Sequence, residues 1–133
     1  GTPSVAEVVG LGAAVDFLSE LGMEAVHRHE VALASHAISR LSEVPGLRIY
    51  GPSPAHRGGV VPFTLKDIHP HDIASILDEE GICIRAGLHC AEPLHTRFSL
   101  NATARASFYI YNDEEDVEAL VHGVHKVTQI LGH

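Results

Sequence analysis

TARASFYIY, residues 103–111, is the clearest strand pattern in the chain. Its residues alternate between an apolar face and a more polar one, and the apolar positions are Ala104, Ala106, Phe108 and Ile110. Regular alternation over this length predicts a β-strand with one face against a core. The opposite face carries Arg105, Ser107 and Tyr109, so Arg105 can be presented towards a pocket.

On either side of this strand the sequence predicts four helices, a single helical turn and three more strands. The helices span about 4–21, 24–41, 70–80 and 113–131, the strands 47–50, 59–65 and 82–84, and the turn 93–98. Capping boxes are predicted at Ser4 with Glu7 and at Asn112 with Glu115. Gly22 is predicted to end the first helix, and Gly81 the third.

Three features carry expectations about packing. Gly10 and Gly12 each cost about 1 kcal/mol relative to alanine inside a helix. Their presence therefore predicts that another backbone packs closely against the first helix. Pro62 cannot donate a ladder hydrogen bond, so it predicts a bulge or a sheet edge within strand 59–65. Cys83 is interpreted as a packing residue on strand 82–84.

The order of elements is helix, helix, strand, strand, helix, strand, strand, helix. Consecutive strands joined by short connections predict an α+β fold. We expect a small, mainly antiparallel sheet with helices on one face, preceded by a helical pair.

Composition excludes several classes of protein. With 133 residues, 45% of them hydrophobic, the chain resembles one globular domain. A formal net charge of −8 argues against nucleic-acid binding through simple electrostatics. No apolar segment approaches the ~20 residues that a membrane helix needs, and no secretory signal is evident. Two cysteines do not make a disulfide framework, and a working thiol suits a reducing cytosol, so we expect a cytoplasmic protein.

The eleven histidines are scattered along the chain and do not predict a metal site. The sequence contains no HExxH or CxxC motif and no ladder of cysteines and histidines. His122 and His125 can share one face of the last helix, but a solvated helix face is the favoured interpretation.

Cys90 lies in the run RAGLHCAEP, residues 85–93, just after predicted strand 82–84. The thiolate is the reactive form of cysteine, and a nearby cation such as Arg85 or His89 favours that form. Cys90 is therefore a candidate nucleophile. From the local residues alone, an unreactive loop cysteine is an equally open interpretation.

Arg105 is a candidate for binding a substrate carboxylate. Its guanidinium can donate two parallel, charge-assisted hydrogen bonds to such a group. A carboxylate-binding arginine near a mobile thiol suits chemistry on an amino acid. The alternative is a solvated or ion-paired strand residue, which composition alone leaves open.

Taken together, these motifs resemble a known family. The ordered set Arg85-x-Gly-x-His89-Cys90-Ala-x-Pro93, Ala104-Arg105-Ala106-Ser107 and Tyr111-Asn112 resembles the C-terminal part of SufS-type cysteine desulfurases. The opening Gly1-Thr2-Pro3 and the run GLGAA at 10–14 are similar too, so the resemblance covers essentially the whole chain. These enzymes use pyridoxal 5'-phosphate and have the aminotransferase class-V fold. The Arg-x-Gly-x-His-Cys-Ala form resembles the Suf-type branch and not the IscS/NifS branch.

The resemblance implies a mechanism and a set of site residues. Cys90 would take sulfur from L-cysteine as an enzyme persulfide, leaving L-alanine, and a sulfur-acceptor protein would collect it for iron–sulfur cluster assembly. Arg105 would bind the substrate carboxylate, and Arg85 and His89 would line the cysteine loop. Thr2, with Gly1, would contact the cofactor phosphate of the other subunit in a homodimer.

The same resemblance implies that part of the enzyme lies outside this chain. The cofactor lysine of the family stands in a Ser-x-His-Lys segment that this sequence lacks, and its two lysines, Lys66 and Lys126, lie in other contexts. The chain also starts without methionine. We therefore expect residues 1–45 to link to an absent large domain, residues 46–133 to form the small domain, and the chain alone to be inactive and not to bind the cofactor.

Two alternatives to the desulfurase interpretation remain open. A selenocysteine lyase would use the same scaffold on selenocysteine. A non-catalytic module that docks a sulfur acceptor would need no cofactor, although the phosphate-contact segment Gly1-Thr2-Pro3 speaks against it.

Overall fold

The computed structural model describes residues 1–132 and confirms the predicted order of elements. The five helices are α1 (Val5–Leu21), α2 (Met23–Leu41), α3 (Pro70–Glu79), α4 (Glu92–Arg97) and α5 (Glu114–Leu131). The four strands are β1 (Leu47–Ile49), β2 (Val60–Leu65), β3 (Arg85–Gly87) and β4 (Thr103–Ser107). A short 3-10 helix, Pro54–His56, lies between β1 and β2. The predicted helical turn at 93–98 is α4.

The strands form one antiparallel sheet in the order β1-β2-β4-β3. The first five residues of the alternating segment 103–111 form the central strand β4, whereas residues 108–111 lie outside the strand. It pairs Ala104 with Phe63 of β2 and Thr103 with Gly87 of β3. The α+β class is confirmed.

One face of the sheet carries the core. Helices α2 and α3 contact the sheet on this face, and α5 packs against both of them. The largest fully buried side chains there are Phe63, Leu41, Leu65, Ile73 and Leu77. The other face of the sheet is left for the side chains of β4 that point away from the core, which include Thr103 and Arg105.

The third strand begins later than the sequence predicts. Residues 82–84 are not a strand, and β3 starts at Arg85. The reason is the end of α3, where Gly81 has a φ of +75° and the N–H of Ile82 donates to the Leu77 carbonyl. That N–H closes the helix and is not available to the sheet. The packing interpretation of Cys83 is wrong, because its thiol is exposed.

Both predicted capping boxes differ from the observed helix starts. Ser4 occupies the N-cap of α1 but makes no side-chain capping bond. The last helix is capped by Asp113, one residue later than predicted, in a capping box with Asp116. Asn112 instead accepts from the Tyr109 N–H and donates to Asp116, so it fixes the turn before the cap.

Pro62 is not at a sheet edge, since β2 lies between β1 and β4. Its pairing with Arg105 continues the register of the neighbouring residues, so the strand has no bulge there. The Pro62 carbonyl accepts from the Tyr50 N–H, just beyond the end of β1. In a strand, the N–H and the carbonyl of one residue point to the same side. The donor that Pro62 lacks would therefore face β1, at the point where the pairing with β1 ends.

Helix α1 stands apart from the core. None of its residues is buried, and Val9 and Leu11 are 68% and 65% exposed. Within residues 1–132, no neighbouring atom lies within 4 Å of a Cβ built on Gly10 or Gly12, so the predicted close backbone contact is not found there. Helix α2, by contrast, contributes Leu33, Ala34, Ala37 and Leu41 to the core. The boundary between residues 45 and 46 stays a prediction.

None of the helices in residues 1–132 has the length and apolar character needed to cross a membrane.

Candidate active site

The loop that carries Cys90 leaves the end of β3 in an unusual backbone conformation. His89 and Cys90 have φ angles of +54° and +58°, in the left-handed region that non-glycine residues seldom adopt. Each such residue costs on the order of 1–3 kcal/mol, so the conformation persists only if the surroundings hold it. The Cys90 side chain is exposed, which leaves its sulfur accessible.

Arg85 lies beside that sulfur. Its Nη2 donates to the Cys90 Sγ across 3.5 Å, a contact that spans the turn between the start of β3 and the loop. A guanidinium N–H directed at sulfur can stabilise negative charge on it. The structure therefore brings Arg85 and Cys90 together as the sequence predicted.

Arg105 faces Arg85 directly across the β3–β4 ladder. Like charges placed opposite each other destabilise a sheet unless something neutralises them. In the part of the chain that the structure describes, neither guanidinium makes an ion pair with a carboxylate. The Arg105 Nε is also buried without a hydrogen-bond partner. This pair of arginines is suited to bind an anion.

Behind the loop lies a cavity of about 170 Å³ on the face of the sheet opposite the core. Tyr50, Pro62, Leu94, Phe98 and Leu100 give it mostly apolar walls. Arg105 and His89 also line it. The His89 Nδ1 is a second buried atom without a partner, so His89 and Arg105 each have unused hydrogen-bonding capacity.

Two residues that the sequence analysis did not single out connect the loop to the sheet. Thr103, at the start of β4, lies within hydrogen-bonding distance of both His89 and His95. His95, on α4, is 5% exposed, and Thr103 is 2% exposed. A sequence signal for Thr103 existed, because it lies two residues before Arg105 on the polar face of the same strand. No sequence signal pointed to His95, because its burial depends on the fold of the loop.

Burial lowers the pKa of His89 below its ordinary value of 6.5, the nearby Arg105 charge lowers it further, and the hydrogen bond to the Thr103 carbonyl only partly opposes this. When the pH falls through 6.5, unfolded His89 takes up a proton while folded His89 stays neutral. The contribution of His89 to the free energy of unfolding is therefore full above pH 6.5 and decreases as the pH falls below 6.5.

We expect this decrease to be smaller in His89→Gln than in the unmodified chain. Urea unfolding between about pH 7.5 and 5 measures it, because the His titration falls in that window. His122→Gln, at an exposed position of α5, is the matched control. Equal pH dependence of His89→Gln and the unmodified chain would contradict the assignment.

Comparison with known proteins places this geometry in a family. The sequence profile of the aminotransferase class-V family matches residues 1–120. The chain belongs to the aminotransferase class-V family. Its curated relatives include a probable cysteine desulfurase from Halalkalibacterium halodurans, 50% identical over 133 residues, and one from Streptomyces coelicolor, 51% identical over 133 residues. These alignments cover 100% and 99% of this chain but only 32% of each relative, so the class-V chain spans about a third of their length.

Solved structures of cysteine desulfurases share the fold of this class-V chain. The cysteine desulfurase CsdA from Escherichia coli aligns with a TM-score of 0.92 at 35% identity, covering 98% of this chain and 32% of that one. A cysteine desulfurase from Thermococcus onnurineus aligns with a TM-score of 0.93 at 35% identity, covering 98% and 33%. The predicted resemblance to cysteine desulfurases is confirmed at this level.

Class-V enzymes of the desulfurase type use pyridoxal phosphate, and the chain's two lysines do not line the cavity behind the Cys90 loop. Gly1 and Thr2 are exposed before α1 and do not line the cavity behind the Cys90 loop. Lys66 lines a different cavity with Asp67 and Asp72. Lys126 is ion-paired with Glu80. Neither lysine is placed for a Schiff base beside Cys90, and the roles predicted for Gly1 and Thr2 stay predictions.

No group of three or more histidine, cysteine, aspartate or glutamate side chains in residues 1–132 is arranged to hold a metal ion.

Proposed function

We propose that this chain is the sulfur-accepting part of a cysteine desulfurase, with Cys90 as the nucleophile. The observation that carries the proposal is the opposed pair Arg85 and Arg105, which lacks a carboxylate partner within residues 1–132 and has the Cys90 sulfur beside it. An amino-acid substrate brings a carboxylate for Arg105. Its side-chain sulfur then lies within reach of an accessible thiol.

The chemistry that suits this arrangement is sulfur transfer. The Cys90 thiolate attacks the sulfur of L-cysteine, an S–S bond forms, and the Cβ–S bond of the substrate breaks. The electron pair of that bond stays on the carbon, which takes up a proton to give L-alanine, and the enzyme keeps a persulfide. Pyridoxal phosphate supplies the electron sink for this cleavage in cysteine desulfurases.

The remaining parts of the proposal extend to the longer protein. The motif form supports a SufS-type enzyme that works as a homodimer in the cytoplasm, where Thr2 and Gly1 reach the cofactor phosphate of the other subunit. A sulfur-acceptor protein of the Suf system would take the persulfide sulfur for iron–sulfur cluster assembly. Because neither lysine lines the cavity behind the Cys90 loop, we expect the chain alone to be inactive.

A chimera tests the proposal. The chain replaces the matching third of the Halalkalibacterium halodurans relative, to which it is 50% identical. With pyridoxal phosphate, L-cysteine and dithiothreitol, the chimera should form alanine and sulfide in equal amounts, whereas the 133-residue chain alone should form neither. A chimera that folds and binds the cofactor but forms no alanine would contradict the proposal.

The same chimera addresses the two alternatives. Faster turnover of selenocysteine than of cysteine would favour a selenocysteine lyase. Tight binding of a sulfur-acceptor protein without any turnover would favour a docking module.

A further inference from the structure

The strained Cys90 loop is held from both sides by one hydrogen-bonded chain of side chains. On the N-terminal side of Cys90, the His89 Nε2 lies 2.9 Å from the Thr103 Oγ1 and 3.0 Å from the Thr103 carbonyl oxygen. On the C-terminal side, the His95 Nδ1 lies 3.0 Å from the Ala91 carbonyl oxygen. The His95 Nε2 lies 3.2 Å from the same Thr103 Oγ1, which closes the chain.

The two backbone carbonyls determine which ring nitrogens of His89 and His95 carry a hydrogen. A carbonyl oxygen only accepts, so the His89 Nε2 must carry the hydrogen that it shares with Thr103. For the same reason the His95 Nδ1 carries the hydrogen that it donates to Ala91. Neutral His95 then has a lone pair on Nε2, and the Thr103 hydroxyl must donate to it. The same hydroxyl accepts from His89, so both of its functions are used.

We infer that Thr103 and His95 are positioning residues for Cys90. They act through His89 and Ala91, the two neighbours of Cys90, and fix residues 89 and 90 in their left-handed conformation. This keeps the sulfur at the Arg85 guanidinium. The inference deepens the proposed function, because positioning matters only if Cys90 is the nucleophile.

The first test reads the proton positions in the unmodified chain. Long-range ¹H–¹⁵N correlation spectra of the histidine rings distinguish the two neutral tautomers. At a pH where both rings are neutral, His89 should carry its hydrogen on Nε2 and His95 should carry its hydrogen on Nδ1. An Nε2–H tautomer at His95 would overturn the inference.

The second test removes the hydroxyl and keeps the shape. Thr103→Val leaves the buried His95 Nε2 without a donor, and losing such a bond should speed exchange of the Ala91 amide about tenfold, because the loop opens more often. In the folded chain that amide donates to the Leu88 carbonyl across 2.8 Å. Thr103→Ser restores the hydroxyl and should restore slow exchange.

Thr128→Val is the matched control, since this threonine bonds a helix carbonyl on α5. It should leave Ala91 exchange unchanged. Equal Ala91 exchange in Thr103→Val and the unmodified chain would overturn the inference.

The chimera supplies a functional readout that separates the two proposals. Thr103→Val should lower kcat about tenfold with little change in KM, because the loop and not the Arg105 contact is disturbed. Thr103→Ser should recover kcat. A rise in KM at constant kcat would overturn the positioning role. An inactive chimera would count against the proposed function alone, because the tautomer and exchange measurements do not need turnover.

Discussion

Cys90→Ser in the chimera is expected to reduce alanine formation by roughly a thousandfold or more, because the sulfur nucleophile itself is removed. Serine keeps the size of the side chain, but its hydroxyl is a poor nucleophile without an adjacent base and would have to form an O–S bond. Binding of L-cysteine should persist, since it depends on Arg105. Alanine formation under saturating cysteine measures the effect directly.

Cys83→Ser is the matched control for this substitution. Cys83 is also an exposed thiol, but it precedes β3, and the Arg85 guanidinium donates to the sulfur of Cys90. Its replacement should leave turnover unchanged. Mass spectrometry of the enzyme during turnover should find the extra sulfur on Cys90 and not on Cys83. Activity that survives in Cys90→Ser, or that is lost in Cys83→Ser, would show that the wrong thiol has been assigned.

Arg105→Ala in the chimera is expected to lower kcat/KM for L-cysteine by about 10- to 100-fold, the usual range for losing hydrogen bonds to a charged group. The effect should lie mainly in KM, because a carboxylate contact of this kind also holds the substrate in its ground state. Arg105→Lys keeps the charge but loses the planar pair of donors, so it should recover only part of the loss.

The free energy of unfolding of Arg105→Ala distinguishes a loss of substrate binding from misfolding. Arg105 faces Arg85 across the ladder, so its removal relieves a like-charge contact and should not lower the free energy of unfolding. Arg48→Ala is the control, because Arg48 is an exposed arginine on β1 that lies over the Tyr50 ring. Unchanged KM in Arg105→Ala, or an equal rise in Arg48→Ala, would remove Arg105 from the substrate site.

The sequence predicts the core-facing part of this fold well because periodicity reports on burial. The alternation of Ala104, Ala106 and Phe108 follows from packing on one face, and all three are buried. The same holds for α3, where Ile73 and Leu77 stand four residues apart on one helix face and are both fully buried. In the part of each segment that forms the predicted element, local preference and burial favour the same structure, but the strand predicted over 103–111 ends at Ser107.

The start of β3 and the cap of α5 were predicted wrongly because, at each place, two alternative hydrogen-bonding arrangements were possible. Ile82 and Ile84 flank Cys83 in a strand-like pattern and do pack against the core. The N–H of Ile82, however, bonds to the end of α3 and not to β4. At the start of α5, Asn112 and Asp113 are both good capping residues. Hydrogen bonds to Tyr109 decide between them, and spacing alone does not reveal these bonds.

In the candidate site, too, the sequence identifies some residues and misses others. Cys90, Arg85, His89 and Arg105 could be found because their residue types carry chemistry, and the structure brings all four together around β3 and its neighbour β4. The link through Thr103 and His95 depends on long-range contacts between β4 and α4, for which the sequence has no periodic signal.

The separation of α1 from the core has a consequence for how the chain unfolds. Because α1 buries no residue, its loss exposes little additional apolar surface. Denaturant sensitivity and the heat-capacity change both scale with the surface exposed on unfolding, so α1 contributes little to either. The cooperative unit of this chain therefore begins in α2, and a measured m-value reports on the sheet and its three covering helices.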